Sequence, residues 1–132
     1  MTLQMHAIAV KQLPEVLHAE QGRIFFAEME SWINVDRPRI VLDCSNLRHM
    51  NSSAVHVLLC CLEEAIKRNG DVKLAALSET AKAQLRWIGL DRIFEVFASS
   101  ADAVNSFRRS AVDMTPPFRK AESSQQPSQN AA

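Results

Sequence analysis

The residues Met50-Asn51-Ser52-Ser53 carry the side chains of this sequence that are best placed for chemistry. They follow the apolar stretch RIVLDC (39–44), which is typical of a strand buried on both faces, and they precede an apolar stretch with helical spacing. In open α/β sheets, binding sites usually lie at such turns, outside the carboxyl ends of the strands. This turn is therefore the first candidate for a functional site.

The residue types of the turn allow two interpretations of its serines. An oxygen of Asn51, Ser52 or Ser53 could cap the helix by accepting a hydrogen bond from an amide of the first turn. Alternatively, a phosphate on a serine would add about −1.5 to −2 charges. A helix N-terminus tolerates that charge, whereas a protein docked over the turn would not. A cap explains one of these residues but not three in succession, which favours the second interpretation.

Catalysis and metal binding have weaker support. His49 could act as a base beside Ser53, but the sequence has no GxSxG motif and no recognisable oxyanion device. His56 and Cys60 have the i,i+4 spacing of two metal ligands, and no pattern supplies a third and a fourth. The three glycines belong to no GxGxxG or Walker loop. We expect no catalytic residue, no metal and no cofactor in this chain.

The composition is that of an ordinary globular domain, with 47% hydrophobic and 23% charged residues in 132. Lys and Arg number 15 and equal Asp and Glu, so no basic excess supports a nucleic-acid partner. The longest apolar run, 54–62, is too short for membrane insertion, and the N-terminus does not resemble a signal peptide. Three cysteines without CxxC spacing, Cys44, Cys60 and Cys61, are expected to be buried thiols. We therefore expect a cytoplasmic protein.

Strands and helices are predicted to alternate along the chain. Strands are expected at 5–10, 39–44, 72–77 and 93–97, and helices at about 19–33, 53–68, 79–88 and 101–109. Strands separated by helical crossovers form a mainly parallel sheet. The pattern predicts an α/β fold with one sheet of about four or five strands and four helices packed against it.

Punctuating residues set the predicted boundaries. Ser78 and Ser100 are expected to cap the last two helices, and Gly70 and Gly89 to follow the ends of the second and third. On the third helix, Trp87 and Ile88 are expected in the core, although Arg86 and Trp87 could instead form a partner surface. Residues 1–110 are predicted to form the domain. Residues 111–132, rich in Pro, Ser and Gln, are predicted to be a disordered tail.

Two segments resemble the STAS domains of bacterial anti-sigma factor antagonists. IVLDCSNLRHMNSSAVHVLL resembles their central segment, in which a buried strand ends in LDLS and D-S-S-G opens a helix. IGLDRIFEVFASSADAV resembles the family's GLDRLFPVF and the short acidic helix after it. The resemblance covers about residues 3–109 and is strongest over 39–104. The sequence has Asn51 and Ala54 where the family usually has Asp and Gly, and His49 where it tends to be apolar.

The resemblance implies a STAS domain without catalytic activity that binds an anti-sigma factor. That anti-sigma factor is also a serine kinase, which phosphorylates the second serine of D-S-S-G, and a serine phosphatase reverses the reaction. The corresponding residue is Ser53, and Ser52 is the second choice. The surface that meets the kinase would be formed by His49, Met50, Asn51, Ser52, Ala54 and His56.

Two other functions stay open at this point. The chain could be a STAS subunit of a larger assembly, such as a stress-signalling complex or a lipid-transport ABC complex, in which Ser53 is only a helix cap. It could also be a small enzyme that uses Ser53 and His49. The residue pattern specifies no oligomeric state for any of these functions.

Overall fold

The computed structural model describes residues 7–113, with only the backbone for 110–113. Over this range the strands are β1 (Ala9–Gln12), β2 (Arg39–Asp43), β3 (Asp71–Ala75) and β4 (Val96–Phe97). The α-helices are α1 (Ala19–Ile33), α2 (Ser52–Lys67), α3 (Glu79–Ile88) and α4 (Ser100–Asp113). All strand pairings are parallel, and the strand order is β1-β2-β3-β4. The predicted α/β class, with a parallel sheet and four helices, is confirmed.

Helices cover both faces of the sheet. Ile40 and Leu42 of β2 belong to the main core, which α1, α2 and α3 also line. Val41 points to the other face, where it packs with Ala103 and Phe107 of α4. Because successive side chains of a strand alternate between the two faces, β2 must be apolar at every inner position. This requirement explains the continuous apolar run in RIVLDC.

Lys73 of β3 is buried on the α4 face of the sheet. Its ammonium group lies 4.3 Å from the ring centroid of Phe107 and 5.5 Å from that of Phe97. The same group donates a hydrogen bond to the Ser106 hydroxyl at 2.6 Å and forms an ion pair with Glu95 at 3.0 Å. A buried charge is costly unless it is paired, so these contacts compensate Lys73 and fasten α4 to the sheet.

All four strands differ from their predicted ranges. β2 ends at Asp43, one residue early, and β3 occupies 71–75 rather than 72–77. The larger differences are in β1 and β4. β1 occupies 9–12 rather than 5–10, because its pairing with β2 starts at Ala9 and ends at Gln12; residues 5 and 6 lie outside the described part of the chain. β4 contains only Val96 and Phe97 of the predicted 93–97. The preceding amides, those of Ile93 and Phe94, donate to the carbonyl of Leu90 and so belong to a turn rather than to the sheet.

The helix ends follow the predicted signals with two exceptions. Ser78 caps α3, and Gly89 ends it with a left-handed φ of 91°, as predicted. At the end of α2, the left-handed residue is Asn69 rather than Gly70. A Cβ atom on Gly70 would collide with the backbone of Pro38, which explains the glycine. Ser100 does not cap α4; the hydroxyl of Ser99 accepts a hydrogen bond from the amide of Asp102 instead.

The prediction that Trp87 and Ile88 are core residues is wrong. The Trp87 side chain is 90% exposed and that of Ile88 is 50% exposed. α3 packs on the core through Ala81 and Leu85. Trp87 follows Leu85 by two positions, which is about 200° around a helix, so it points away from the core. Its exposure is consistent with the alternative interpretation, a partner surface.

The cysteines have two different environments. Cys44 and Cys61 are buried as predicted, and burial raises the pKa of each thiol to about 12. Cys60 is only partly buried. Thiols with such raised pKa values carry almost no thiolate at neutral pH, so Cys44 and Cys61 are inert core residues.

The last helix extends beyond the predicted domain boundary. α4 ends at Asp113, three residues after position 110. The remainder of the predicted tail, 114–132, lies outside the described residues.

Candidate functional site

The turn between β2 and α2 lies at the carboxyl edge of the sheet, and Asn51 caps the helix that follows. Its backbone is extended, and its side-chain oxygen accepts a hydrogen bond from the Ala54 amide at 2.8 Å. The backbone carbonyl of Asn51 accepts from Val55 at 3.0 Å. α2 therefore begins at Ser52, one residue earlier than predicted. The N-cap position is filled by the amide side chain, not by a serine.

The hydroxyl groups of Ser52 and Ser53 do not cap α2. Within the described part of the chain, neither the Ser52 nor the Ser53 hydroxyl takes part in a hydrogen bond. Ser52 is exposed and Ser53 is partly buried. Both residues lie in the first turn of α2, where free amides and the helix dipole favour negative charge. This environment suits a hydroxyl group that acquires a phosphate.

Neighbouring elements hold the turn from two sides. The Arg48 amide donates to the carbonyl of Glu15 at 3.0 Å, and the Met50 amide donates to the side-chain oxygen of Gln84 at 2.9 Å. These bonds attach the turn to the segment after β1 and to α3. Gln84 was not predicted, because it lies 34 positions from Met50. Only the packing of α3 beside the turn brings them together.

A groove of about 430 Å³ runs between the N-terminal halves of α1 and α2. The helices approach so closely at Gly22 that a Cβ atom on it would lie 2.6 Å from Cγ2 of Val57. The lining residues are Ala19, Gly22, Arg23, Phe26, Ser52, Ser53, His56, Val57 and Cys60.

The residues predicted to form the partner surface occupy different places. Ser52, Ser53 and His56 line the groove, and His49 is exposed on the adjoining turn. Met50 and Ala54 are 3% and 0% exposed. Their side chains therefore face the core and support the turn from inside rather than presenting themselves to a partner.

Two groove residues of α1, Arg23 and Phe26, were missed in the sequence. They lie on α1, which is separated from the turn along the chain by β2, and no sequence motif links α1 to the turn. Helical spacing indicates only which side of α1 faces the core. The contact between α1 and α2 decides which residues of that helix border the serines.

His56 and Cys60 meet on one wall of the groove, with Nε2 and Sγ 3.5 Å apart. Burial and then the carboxylates of Glu63 and Glu64 raise the pKa of Cys60. A raised pKa reduces the thiolate that metal binding or nucleophilic attack requires. Among residues 7–113, no group of three His, Cys, Asp or Glu side chains could hold a metal ion. Over the same residues, no hydrogen bond joins His49 to Ser53.

Asp43, the last residue of β2, connects the start of the turn to α4. Its carboxylate accepts hydrogen bonds from the Ser45 amide at 2.9 Å and from the Ser100 hydroxyl at 3.0 Å. Burial by itself would raise the pKa of this carboxyl group, but the hydrogen bonds from Ser45 and Ser100 outweigh it and lower the pKa below 3.8. Ser100 thus bridges two elements instead of capping one.

Comparison with known proteins gives a family and a fold. The family model of the STAS domain matches residues 14–103. None of the curated proteins matches the chain. None of the helices within residues 7–113 is long and apolar enough to span a membrane.

Solved structures share the fold at low sequence identity. A Thermotoga maritima protein described as an anti-sigma factor antagonist has a TM-score of 0.66 at 17% identity, over 80% of this chain and 98% of that one. A STAS domain protein from Planctomyces limnophilus, also described as an anti-sigma-factor antagonist, has a TM-score of 0.70 at 14% identity, over 78% and 92%. The STAS domain of a SulP transporter from Vibrio cholerae has a TM-score of 0.64 at 13% identity, over 82% and 85%.

Proposed function

We propose that this chain, which belongs to the STAS domain family, is an anti-sigma factor antagonist controlled by phosphorylation of Ser53. In the unmodified state it binds an anti-sigma factor that is also a serine kinase. Modification of Ser53 weakens that complex, and a serine phosphatase restores it. Solved structures described as anti-sigma factor antagonists share its fold, which supports this class of function.

The observation that carries the proposal is the hydrogen bond from the Ala54 amide to Asn51. Because Asn51 caps α2, the helix does not need the hydroxyl of Ser53. That hydroxyl lies beside a groove at the carboxyl edge of the sheet, within the positive end of the helix dipole. A phosphate can therefore be added there without removing a structural contact.

The reaction takes place in the kinase, which supplies ATP. The Ser53 oxygen forms a bond to the γ-phosphorus, the bond between that phosphorus and ADP breaks, and the hydroxyl proton passes to a base of the kinase. The phosphatase then transfers the phosphoryl group to water and regenerates the hydroxyl. This chain contributes the acceptor and its positioning, so we assign it no cofactor and no catalytic residue.

The partner surface would comprise the open side of the groove and its rim. Ser52, Ser53 and His56 provide the wall formed by α2, and His49 extends the surface onto the turn. A phosphate here brings about −1.5 to −2 charges into a contact that must exclude water. Desolvation and repulsion of that charge would dissociate the partner without a change of fold. Such a switch would act in the cytoplasm, through the predicted domain of residues 1–110 together with the end of α4, which continues to Asp113.

A second candidate is a STAS subunit that docks permanently in a larger assembly. The observation that favours it is the exposed Trp87, with Ile88 beside it. Exposed tryptophan is enriched at protein interfaces because it buries a large area at small entropic cost. In this case the partner would bind α3, and Ser53 would not be modified.

The test is the intact mass, with site mapping, of the protein purified from its native host with phosphatases inhibited. We expect an addition of one phosphate, mapped to Ser53, in part of the population. Ser53→Ala should abolish it, and Ser52→Ala, the matched control in the same turn, should retain it. Absence of phosphate under several growth and stress conditions would reject the switch in favour of the docking subunit.

A further inference from the structure

Arg23 of α1 borders the same groove as Ser52 and Ser53 of α2. Both helices follow parallel strands of one sheet, so both begin at its carboxyl edge. The contact between Gly22 and Val57 fixes their relative position along their axes. Val57 lies one turn after Ser53 in α2. The Cα atom of Arg23, next to Gly22, therefore lies about one turn further from the carboxyl edge of the sheet than Ser53 does.

The direction of helical side chains compensates for that difference. In an α-helix the Cα–Cβ bonds tilt toward the N-terminus, and long side chains cover the turn that precedes their own Cα atom. The Arg23 side chain therefore leans toward the start of α1, which is the level of Ser53 on α2. Ala19 lies one turn earlier on α1 and also lines the groove, so its small side chain leaves room for the guanidinium group.

The guanidinium charge of Arg23 is not neutralised by an ion pair within the described residues. The other titratable side chains that line the groove are His56 and Cys60, and the groove wall contains no carboxylate. Glu20, one turn earlier on α1, is exposed. Arg23 is thus the permanent positive charge of a space of about 430 Å³ that also contains both serines.

We infer that the guanidinium group of Arg23 binds the phosphate on Ser53 across the groove. This inference rests on the proposed function, since it assigns the group that receives the modification. An arginine suits the role because its planar fork donates two parallel hydrogen bonds to phosphate oxygens. The phosphate would then occupy the groove rather than project into solvent, and it would exclude a partner side chain from that space.

The inference can be tested without the kinase. Phosphoserine is incorporated at position 53 during translation, and the ³¹P resonance is titrated in the otherwise wild-type chain and in Arg23→Gln. A phosphoserine has a second pKa of about 6. Because a nearby cation favours the dianion, we expect this pKa to be lower with Arg23 present, by about half a unit or more. The same two proteins are also compared with His56→Gln present in both, so that the charge of the His56 imidazole does not affect the phosphate pKa.

Two matched variants complete the experiment. Arg108→Gln removes an exposed arginine from α4, on the other face of the sheet, and should leave the phosphate pKa at the wild-type value. Arg23→Lys should restore part of the shift. Equal pKa values in the wild-type chain and in Arg23→Gln would overturn the inference.

The ³¹P titration and the mass measurement on the native protein test different claims. The phosphate is installed directly, so a null titration removes the role of Arg23 and leaves Ser53 as the acceptor. Conversely, absence of phosphate in the native host rejects the switch, whatever the titration shows.

Discussion

The side-chain oxygen of Asn51 accepts a hydrogen bond from the backbone amide of Ala54 at 2.8 Å, and this bond completes the N-cap of α2. Asn51, Ser52 and Ser53 could each have supplied the capping oxygen. In the structure the cap is Asn51, whose side chain has no hydroxyl group to phosphorylate. Ser52 and Ser53 follow inside the helix, where their hydroxyls make no hydrogen bond to the described part of the chain.

The cap makes the stabilities of variants in the turn predictable. Asn51→Ala should lower the free energy of unfolding by about 1 kcal/mol, because the Ala54 amide loses its acceptor. Ser53→Ala should change it by less than about 0.5 kcal/mol. Urea denaturation of both variants measures the difference, and Ser78→Ala, which removes the cap of α3, is the matched positive control. A destabilised Ser53→Ala variant would mean that this hydroxyl has a structural role.

Gln84 should control the rigidity of the turn. Gln84→Ala removes the acceptor of the Met50 amide, and a bond of this kind contributes about 1 kcal/mol. We expect hydrogen exchange of the Met50 amide to accelerate severalfold, measured by NMR. Arg86→Ala, an exposed change on the same helix, should leave that exchange rate unaltered. If both variants exchange at the wild-type rate, Gln84 does not anchor the turn.

Trp87 should contribute little to stability. Because its side chain is 90% exposed, Trp87→Ala should change the free energy of unfolding by less than about 0.5 kcal/mol. Leu85→Ala, two positions earlier and buried, should cost about 2–5 kcal/mol. Denaturant midpoints of the two variants test this contrast. A comparable loss in both would show that Trp87 is buried in solution.

Asp43 should make the fold sensitive to acid. The pKa of its carboxyl group is lower in the folded state than the usual 3.8, so the folded state favours the charged form. The resulting stabilisation is complete above 3.8 and is lost as the pH falls through the lower, folded-state pKa.

Variants of Asp43 and Ser100 separate the contribution of the Asp43 carboxylate from those of the other acidic groups. Between about pH 6 and pH 3, the wild-type chain should lose more stability than Asp43→Asn, as urea midpoints would show. Ser100→Ala, which removes one donor to the carboxylate, should lie between them. An equal loss in all three would indicate that Asp43 does not contribute to the acid response.

The sequence determined the architecture because its signals are local. Apolar runs, the helical spacing of apolar residues, and punctuation by Ser78 and Gly89 gave the order of elements, the parallel sheet and the start of α1 at Ala19. It also identified the turn at 50–53 as the candidate site, since that position follows from a strand preceding a helix. The cap of α4 was predicted at Ser100, and the structure places it at Ser99, one position earlier.

Tertiary packing decided everything that depends on distant partners. The limits of β1 follow from its pairing with β2, and the exposure of Trp87 follows from the face of α3 that meets the core. The contacts of the site, from Gln84 to the turn and from α1 to the groove, join residues far apart in the chain. Local periodicity indicates which face of an element is apolar. Only the packed structure determines what that face meets, and here it placed Arg23 in the same groove as Ser52 and Ser53.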